Sequence, residues 1–373
     1  MDTARVTVWR LRRPPRRWAV AAAALVAGSL VLAACSSSSG SSGGSGSGKV
    51  GVSLILKTLS NPYFVSMEKD AKTEAAKDNV NLTVAAGKED GDTQTQISAI
   101  DNAISRGDKG ILITENGNAV NTELNKARQA GLYVIALDTV PTPPSTVDIT
   151  YGTDNEAAGK LIGQYAAAKL NGGKAVIAML DLFNNQVVSV DIQRDHGFLE
   201  GMGINPGSTT LNGKEAKTGK YTAGKGGDYV IACHQPTTGA IPGGKTAMEN
   251  CLSANPNINV VYTINEPAAD GAHQALQAAG KSNVMIVTID GSCNYVNGLL
   301  KNGTIAADSA QYPGKMASIG VKTISSIAGG GAKPTLPAGK DFINTGTALI
   351  TAHPVTGVSS ETPEKAATAC WGS

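Results

Sequence analysis

The chain has 373 residues, 32 Lys and Arg against 30 Asp and Glu, 41% hydrophobic residues and only 4% aromatic ones. Arg5, Arg10, Arg12, Arg13, Arg16 and Arg17 and one acid, Asp2, fall in the first 34 positions, so the rest holds 26 basic and 29 acidic residues, a net of about −3. That balance leaves no basic field for phosphates and excludes nucleic acid as partner.

The N-terminal segment reads as a lipoprotein leader. Its arginines form a basic n-region, and Ala19 to Ala33 form an apolar run of 15 residues, too short to cross about 30 Å of hydrocarbon comfortably. Leu32-Ala33-Ala34-Cys35 closes that run with small residues before a cysteine, the arrangement in which a peptidase cuts and Cys35 carries the lipid. Arg12-Arg13 and Arg16-Arg17 fit twin-arginine export as well as the general route. Ser36 to Gly48 is Ser and Gly alone, which cannot bury a core and as a coil reaches about 20 Å. The expected organisation is a signal peptide over 1–34 and a lipid-anchored linker over 35–48. The folded part would then work outside the cytoplasm, tethered to the membrane.

From Lys49, short β-branched runs alternate with longer amphipathic stretches, the pattern of βαβ units and parallel sheets. The strands are expected at VGVSLIL (Val50 to Leu56), NLTVAA, GILIT, LYVIAL, KAVIAML, NVVYTI and VMIVTI. Helical periods cover Tyr63 to Asp78, Thr93 to Arg106, Asn155 to Leu170 and Pro267 to Ala279. Asn61-Pro62 opens the first of these with a capping residue and a proline at the first position. The alternation breaks at Pro141 to Pro144, passes a short strand near Val147 to Thr150, and resumes at Asp154-Asn155. Asn205 to Asp228, rich in Gly, Lys and Thr, reads as a surface insertion. The expected fold class is α/β, two doubly wound parallel-sheet lobes joined by a three-segment hinge. About 325 residues suffice for both. The chain would cross near 153, 311 and 340, giving a first lobe of 49–153 plus 312–340 and a second of 154–311 plus 341–373.

Four cysteines follow Cys35: Cys233, Cys251, Cys293 and Cys370. An even count in an exported chain suggests disulfides, with three connectivities open. Cys233–Cys251 with Cys293–Cys370 is favoured, the first pair because it is close in sequence; four buried thiols are the alternative. There is no C-x-x-C pair and the four histidines are scattered, so no zinc site is read from the sequence. No cofactor is read either.

In open α/β sheets ligands bind beyond the carboxyl ends of the strands, and polar residues gather there. The first strand runs into KTLSNPYF, with Asn61, Tyr63 and Phe64. GILIT runs into Glu115 and Asn116, and LYVIAL ends at Asp138. NVVYTI ends at Asn265-Glu266 and VMIVTI at Asp290. Singly, such residues also fit helix caps, turns or core positions; their repetition on several strands points to one rim. Amides and carboxylates suit sugar hydroxyls, and an aromatic ring suits the C–H face of a sugar. Repeated carboxylates would repel a phosphorylated or acidic ligand.

At these residues the chain resembles the ribose-type sugar-binding proteins of bacterial ABC importers, the type I periplasmic binding proteins. The segments are KTLSNPYFVSM, GILIT, VIALDT, TDNEAAGKLIG, QRDHGFLEG, VYTINEPAADGA, VTIDG and AQYPGKMA, and the likeness covers about 49–373. LDLFNNQVVSVDIQRDHGF with NEPAADGA and a terminal CWG is most similar to the fructose-binding members. The resemblance implies that Asn61, Tyr63, Phe64, Asp138, Arg194, Asn265, Asp290 and Gln311 contact the sugar, Arg194 through the R-x-x-G-F pattern and Gln311 as a hinge residue. Two positions depart: ribose-type binders carry Arg where Thr139 stands, and an aromatic near Gly239 is missing, which favours a sugar other than ribose.

The expected function is capture of a neutral monosaccharide, fructose favoured, and delivery to an ABC permease with its ATPase. The protein would be a monomer held to the membrane by its lipid. The same fold forms the core of LacI-type repressors, but no helix-turn-helix headpiece is present. A secreted carbohydrate-active enzyme with Asp138 and Asp290 as acid and base is the alternative from another class. A sugar sensor for a chemoreceptor or kinase is the third.

Overall fold

A computed structural model describes residues 48–372, so the leader over 1–34, Cys35 and all but the last residue of the linker lie outside the described residues. Strands β1 (Val50–Leu56), β2 (Val80–Ala86), β3 (Gly110–Ile113), β4 (Tyr133–Leu137) and β5 (Ile149–Gly152) alternate with helices α1 (Pro62–Lys77), α2 (Thr93–Arg106) and α3 (Asn121–Gln129). They form a parallel sheet in the order β5-β4-β3-β1-β2. Its strands are apolar on both sides because both sides are covered. Val52, Leu54 and Leu56 pack into one core and Ile55, Ile111 and Ile113 into another, one on each face.

The second lobe is built the same way. It contains α4 (Asn155–Leu170), β6 (Ala175–Asp181), α5 (Ser189–Met202), β7 (Thr218–Tyr221), β8 (Gly227–Pro236), α6 (Ile241–Ala254), β9 (Val260–Thr263), α7 (Glu266–Ala278), β10 (Met285–Asp290), the single turn α8 (Cys293–Tyr295) and β11 (Ile305–Ala310). The chain then returns to the first lobe as α9 (Pro313–Ala328) and β12 (Ile343–Asn344), and re-enters the second as β13 (Ala348–Ile350) and α10 (Pro363–Ala366). The second sheet runs β13-β11-β10-β9-β6-β8-β7, parallel apart from the antiparallel edge strands β13 and β7. Among the described residues no helix is long and apolar enough to cross a membrane.

The chain passes between sheets after β5, after β11 and between β12 and β13. The third passage lies beyond the expected 340, because Ile343 and Asn344 pair with Tyr151 and Gly152 at the edge of the first sheet. Residues 341–344 therefore belong to the first lobe. The expected surface insertion over 205–228 is also more than a loop: it supplies the edge strand β7, buries Tyr221 in the second core and opens β8. Five strands escape the sequence pattern: β7, β8, β11, β12 and β13. Polar residues at both ends mask β8, and β11 carries the buried Asp308, whose carboxylate accepts the amides of Asp290 (2.9 Å) and Gly291 (3.3 Å).

Helices α4 and α5 meet backbone to backbone. A Cβ at Gly159 would strike the carbonyl of Arg194, one at Gly163 that of Phe198, one at Gly197 that of Glu156 and one at Gly201 that of Lys160. Four glycines on facing ridges thus set how closely α5, which carries Arg194, lies against α4. Disulfides join Cys233 on β8 to Cys251 on α6, and Cys293 on α8 to Cys370 near the C-terminus. The second disulfide holds Trp371 between the lobes: its ring packs edge-on to Tyr63, centroids 5.3 Å apart, and its Nε1 donates to the Asp290 carbonyl at 2.9 Å.

Candidate functional site

The carboxyl ends of the two sheets face one cavity. The first lobe contributes Lys57, Asn61, Tyr63, Phe64, Asp90 and Asp138; the second contributes Leu182, Val190, Arg194, Ile264, Asn265 and Asp290; Gln311 comes from the second passage between lobes. All eight residues that the resemblance names line this cavity, Asn61, Tyr63, Phe64, Asp138, Arg194, Asn265, Asp290 and Gln311, whereas the strand-end residues Glu115, Asn116 and Glu266 do not. Together the walls leave about 30 Å³ open to water, room for about two molecules of it.

Local structure explains how each side chain is aimed. Asn61 caps α1, its Oδ1 accepting the Tyr63 amide at 2.9 Å, and so turns Tyr63 and Phe64 inward. Asn265 caps α7 the same way, accepting from the Ala268 amide at 3.0 Å while its Nδ2 donates to the Gly239 carbonyl. Asp138 follows β4 in the left-handed region at φ 66°, a conformation uncommon outside glycine and frequent at functional sites. Arg194 on α5 is fixed by two hydrogen bonds, from Nε to Asn155 Oδ1 (2.8 Å) and from Nη1 to the Ile264 carbonyl (2.9 Å).

That guanidinium bridges the lobes. It lies 3.9 Å from Asp138 Oδ1 of the first and 3.7 Å from Asp290 Oδ1 of the second. Tyr63 donates to Asp138 Oδ1 at 3.1 Å, Thr139 donates to its Oδ2 at 3.1 Å, and Lys57 Nζ lies 3.8 Å from that Oδ2. Gln311 donates to Asp290 Oδ1 at 2.8 Å. Donors and acceptors that suit hydroxyls thus face one another across the cavity.

Burial shapes the charges. It pushes the Asp290 carboxyl up to about 7 against the opposing pull of Arg194, with Asp308 and Asp138 adding to the rise. It raises Asp90 to about 6 despite Lys57. Tyr63 is held well above its ordinary range by burial and then by Asp138 and Asp290, so its hydroxyl keeps the proton it donates.

Asn116 does not reach the cavity. Its Nδ2 donates to the carbonyls of Lys57 (3.1 Å) and Asp92 (3.2 Å), and its Oδ1 accepts the Gly91 amide at 3.0 Å. It ties the loop after β2 to the end of β1, which places Asp90 and Lys57. Those two were missed in the sequence: Lys57 directly follows β1 but is neither amide nor acid, and Asp90 lies several residues beyond its strand. Leu182, Val190 and Ile264, also missed, form the apolar wall. Near Gly239, where the expected aromatic is absent, a Cβ would meet Asn265 Nδ2 at 3.0 Å and Leu182 Cδ1 at 3.1 Å.

Two like-wound lobes with a buried polar cavity between them define a two-lobed solute-binding protein. Residues 52–332 match the periplasmic binding protein domain family, and the chain belongs to that family. It is 28% identical to the ribose import binding protein of Escherichia coli (strain K12) over 277 residues, 74% of this chain and 84% of that protein. It is 27% identical to the D-apiose import binding protein of Actinobacillus succinogenes over 270 residues, 70% and 76% of the two chains. The fold matches a galactofuranose-binding protein with a TM-score of 0.69 at 22% identity, covering 86% of this chain and 97% of that one. It also matches a D-allose-bound solute-binding protein from Actinobacillus succinogenes with a TM-score of 0.67 at 24% identity, covering 81% and 98%. These relatives are binding proteins rather than enzymes.

Proposed function

We propose that the chain is an extracytoplasmic receptor that captures a neutral monosaccharide between its lobes and presents it to an ABC permease with its ATPase. The observation that carries this reading is Arg194, held between Asp138 of one lobe and Asp290 of the other in a cavity edged by Tyr63, Phe64, Asn61, Asn265 and Gln311. A planar donor fork between two carboxylates suits adjacent sugar hydroxyls, which donate to the acids while accepting from the fork. A monosaccharide needs more room than about 30 Å³, so the lobes separate to admit it, and contacts to both then favour closure.

Within this class we favour fructose, on the likeness of LDLFNNQVVSVDIQRDHGF and the terminal CWG to fructose-binding proteins and on the departures at Thr139 and Gly239. Relatives named for ribose, allose and apiose make furanose-forming sugars the first set to test. Calorimetric titration with fructose, ribose, allose, galactose and inositol should give one site per chain for at least one sugar, with a Kd of about 1 μM or tighter. No heat with any of them, or turnover of a labelled oligosaccharide, overturns the reading. Cys35 as lipid carrier and the Ser/Gly leash belong to the same proposal; Cys35→Ser should move the protein from the membrane to the soluble fraction.

A further inference from the structure

A second polar cluster lies in the second lobe, outside the sugar cavity. Asp181 ends β6, Asp195 sits on α5 and His234 on β8. One oxygen of each carboxylate and a ring nitrogen of the histidine all lie within 4.8 Å of one another. We propose that Asp181, Asp195 and His234 bind one divalent transition-metal cation of the zinc class.

The strongest observation is Asp195. It is 0% exposed, and no donor group reaches either of its oxygens; the one acid near enough to share a proton with it is Asp181. An acid so placed costs several kcal/mol unless a cation or proton meets it. Among the described residues the cation paired with it is His234, with Nδ1 3.9 Å from Oδ2. Asp181 also leaves Oδ1 buried and unpartnered, while its Oδ2 lies 2.7 Å from the same Nδ1. By contrast Asp191, close by, is satisfied by the amides of Leu182 (2.8 Å) and Phe183 (3.2 Å). Asp181 and Asp195 therefore each keep a buried, unpartnered oxygen in the cluster around the His234 ring.

The histidine is oriented for this role. Its Nε2 lies 3.0 Å from Glu215 Oε1, and Lys217 holds that oxygen at 2.8 Å. A carboxylate accepting the Nε2 proton orients the ring from behind, as in metal-binding histidines, and a cation at Nδ1 would displace the proton that Nδ1 now gives to Asp181 Oδ2. One imidazole with two carboxylates suits zinc, cobalt or nickel better than calcium or magnesium, which prefer oxygen alone. Ligands about 2.0–2.2 Å from zinc stand roughly 3.3 Å apart; Asp181 Oδ2 at 2.7 Å and Asp195 Oδ2 at 3.9 Å from Nδ1 lie on either side of that spacing, so the first would move out and the second in to hold the cation. An adjoining cavity of about 370 Å³, lined by Asp181, Asn212 and His234, supplies an entry path and room for a water ligand. The bound cation would clamp β6, β8 and α5, the helix that also carries Arg194.

The test uses the full-length chain without a histidine tag, stripped with a chelator and titrated with Zn2+, Co2+, Ni2+ and Mn2+. One Zn2+ per chain should survive dialysis, and Co2+ should give visible absorption of a low-symmetry imidazole–carboxylate site. Asp195→Asn and His234→Gln should each weaken Zn2+ at least 100-fold, and Glu215→Gln about 10- to 100-fold. No cation retained by the unsubstituted protein overturns the proposal, as does retention unchanged in substituted proteins whose circular dichroism is native. Should Asp195→Asn or His234→Gln fail to fold, Glu215→Gln and the Co2+ spectrum of the unsubstituted protein decide.

Discussion

Arg194 is the residue on which the proposed sugar site turns. Its fork is held by Asn155 and Ile264 and faces Asp138 and Asp290, so truncation leaves two buried carboxylates without their shared cation. Arg194→Ala should weaken sugar binding by at least about 30-fold, from the ~2 kcal/mol or more that such a loss costs; calorimetry reads it. Asn116→Ala is the contrasting case. It removes hydrogen bonds to Lys57, Asp92 and Gly91 and should cost about 1–3 kcal/mol of stability, with a smaller loss of affinity than Arg194→Ala. Asp290 sets a pH dependence. Hydroxyls donate to its ionised form, and burial holds its pKa at about 7. Sugar affinity should therefore fall as pH drops from 8 to 5, by up to about tenfold per unit below 7 for one proton. A rise instead would remove Asp290 as an acceptor.

At the scale of elements, the crossing of α4 and α5 connects packing to the site. Gly159, Gly163, Gly197 and Gly201 let two backbones touch, and no side chain fits between them. Gly163→Val should cost about 1–3 kcal/mol or more by overpacking, read as a lower Tm. Because α5 must move, sugar affinity should fall with it, although residue 163 touches no ligand. A substitution equally costly in the first core, such as Ile111→Ala, should lower Tm and spare affinity. The motif TDNEAAGKLIG shows the glycines but not their partner: that Gly159 faces Arg194 depends on how α5 lies across α4. Strand ends were legible for a related reason. Apolar runs stop where the sheet stops, so Asp138, Asn265 and Asp290 could be placed on the rim. Asn116 could not be told from its neighbours, because its amide turns toward two loops whose paths are set by the rest of the lobe. Lys57 and Asp90 were hidden by the same dependence.

For the whole molecule, the fold buries acids, and that gives it its own pH response. Asp90, Glu115 and Asp290 are raised by burial to about 6, 7 and 7, above the ordinary range of about 3.9–4.3. Between pH 4 and 7 the folded state holds protons that the unfolded chain has lost, so stability falls as pH rises through that window. The sugar-free protein should have a higher Tm at pH 5.5 than at 7.5, and saturating sugar, which favours the ionised acids, should shrink the difference. A Tm that rises over this interval would contradict the assignment. The amino-acid sequence by itself determined the α/β class, the two-lobed alternation, most strands and the rim residues, since hydrophobic period, caps and strand ends are properties of neighbouring residues. Only the tertiary structure decided which cysteines meet, that residues 341–344 pair with β5, that β8 and β11 are strands, and that Lys57 and Asp90 join the cavity while Asn116 leaves it. Each depends on distances between groups far apart in the chain, Arg194 to Asp138 or Cys293 to Cys370, and local pattern carries no record of such distances until the sheets and helices are packed.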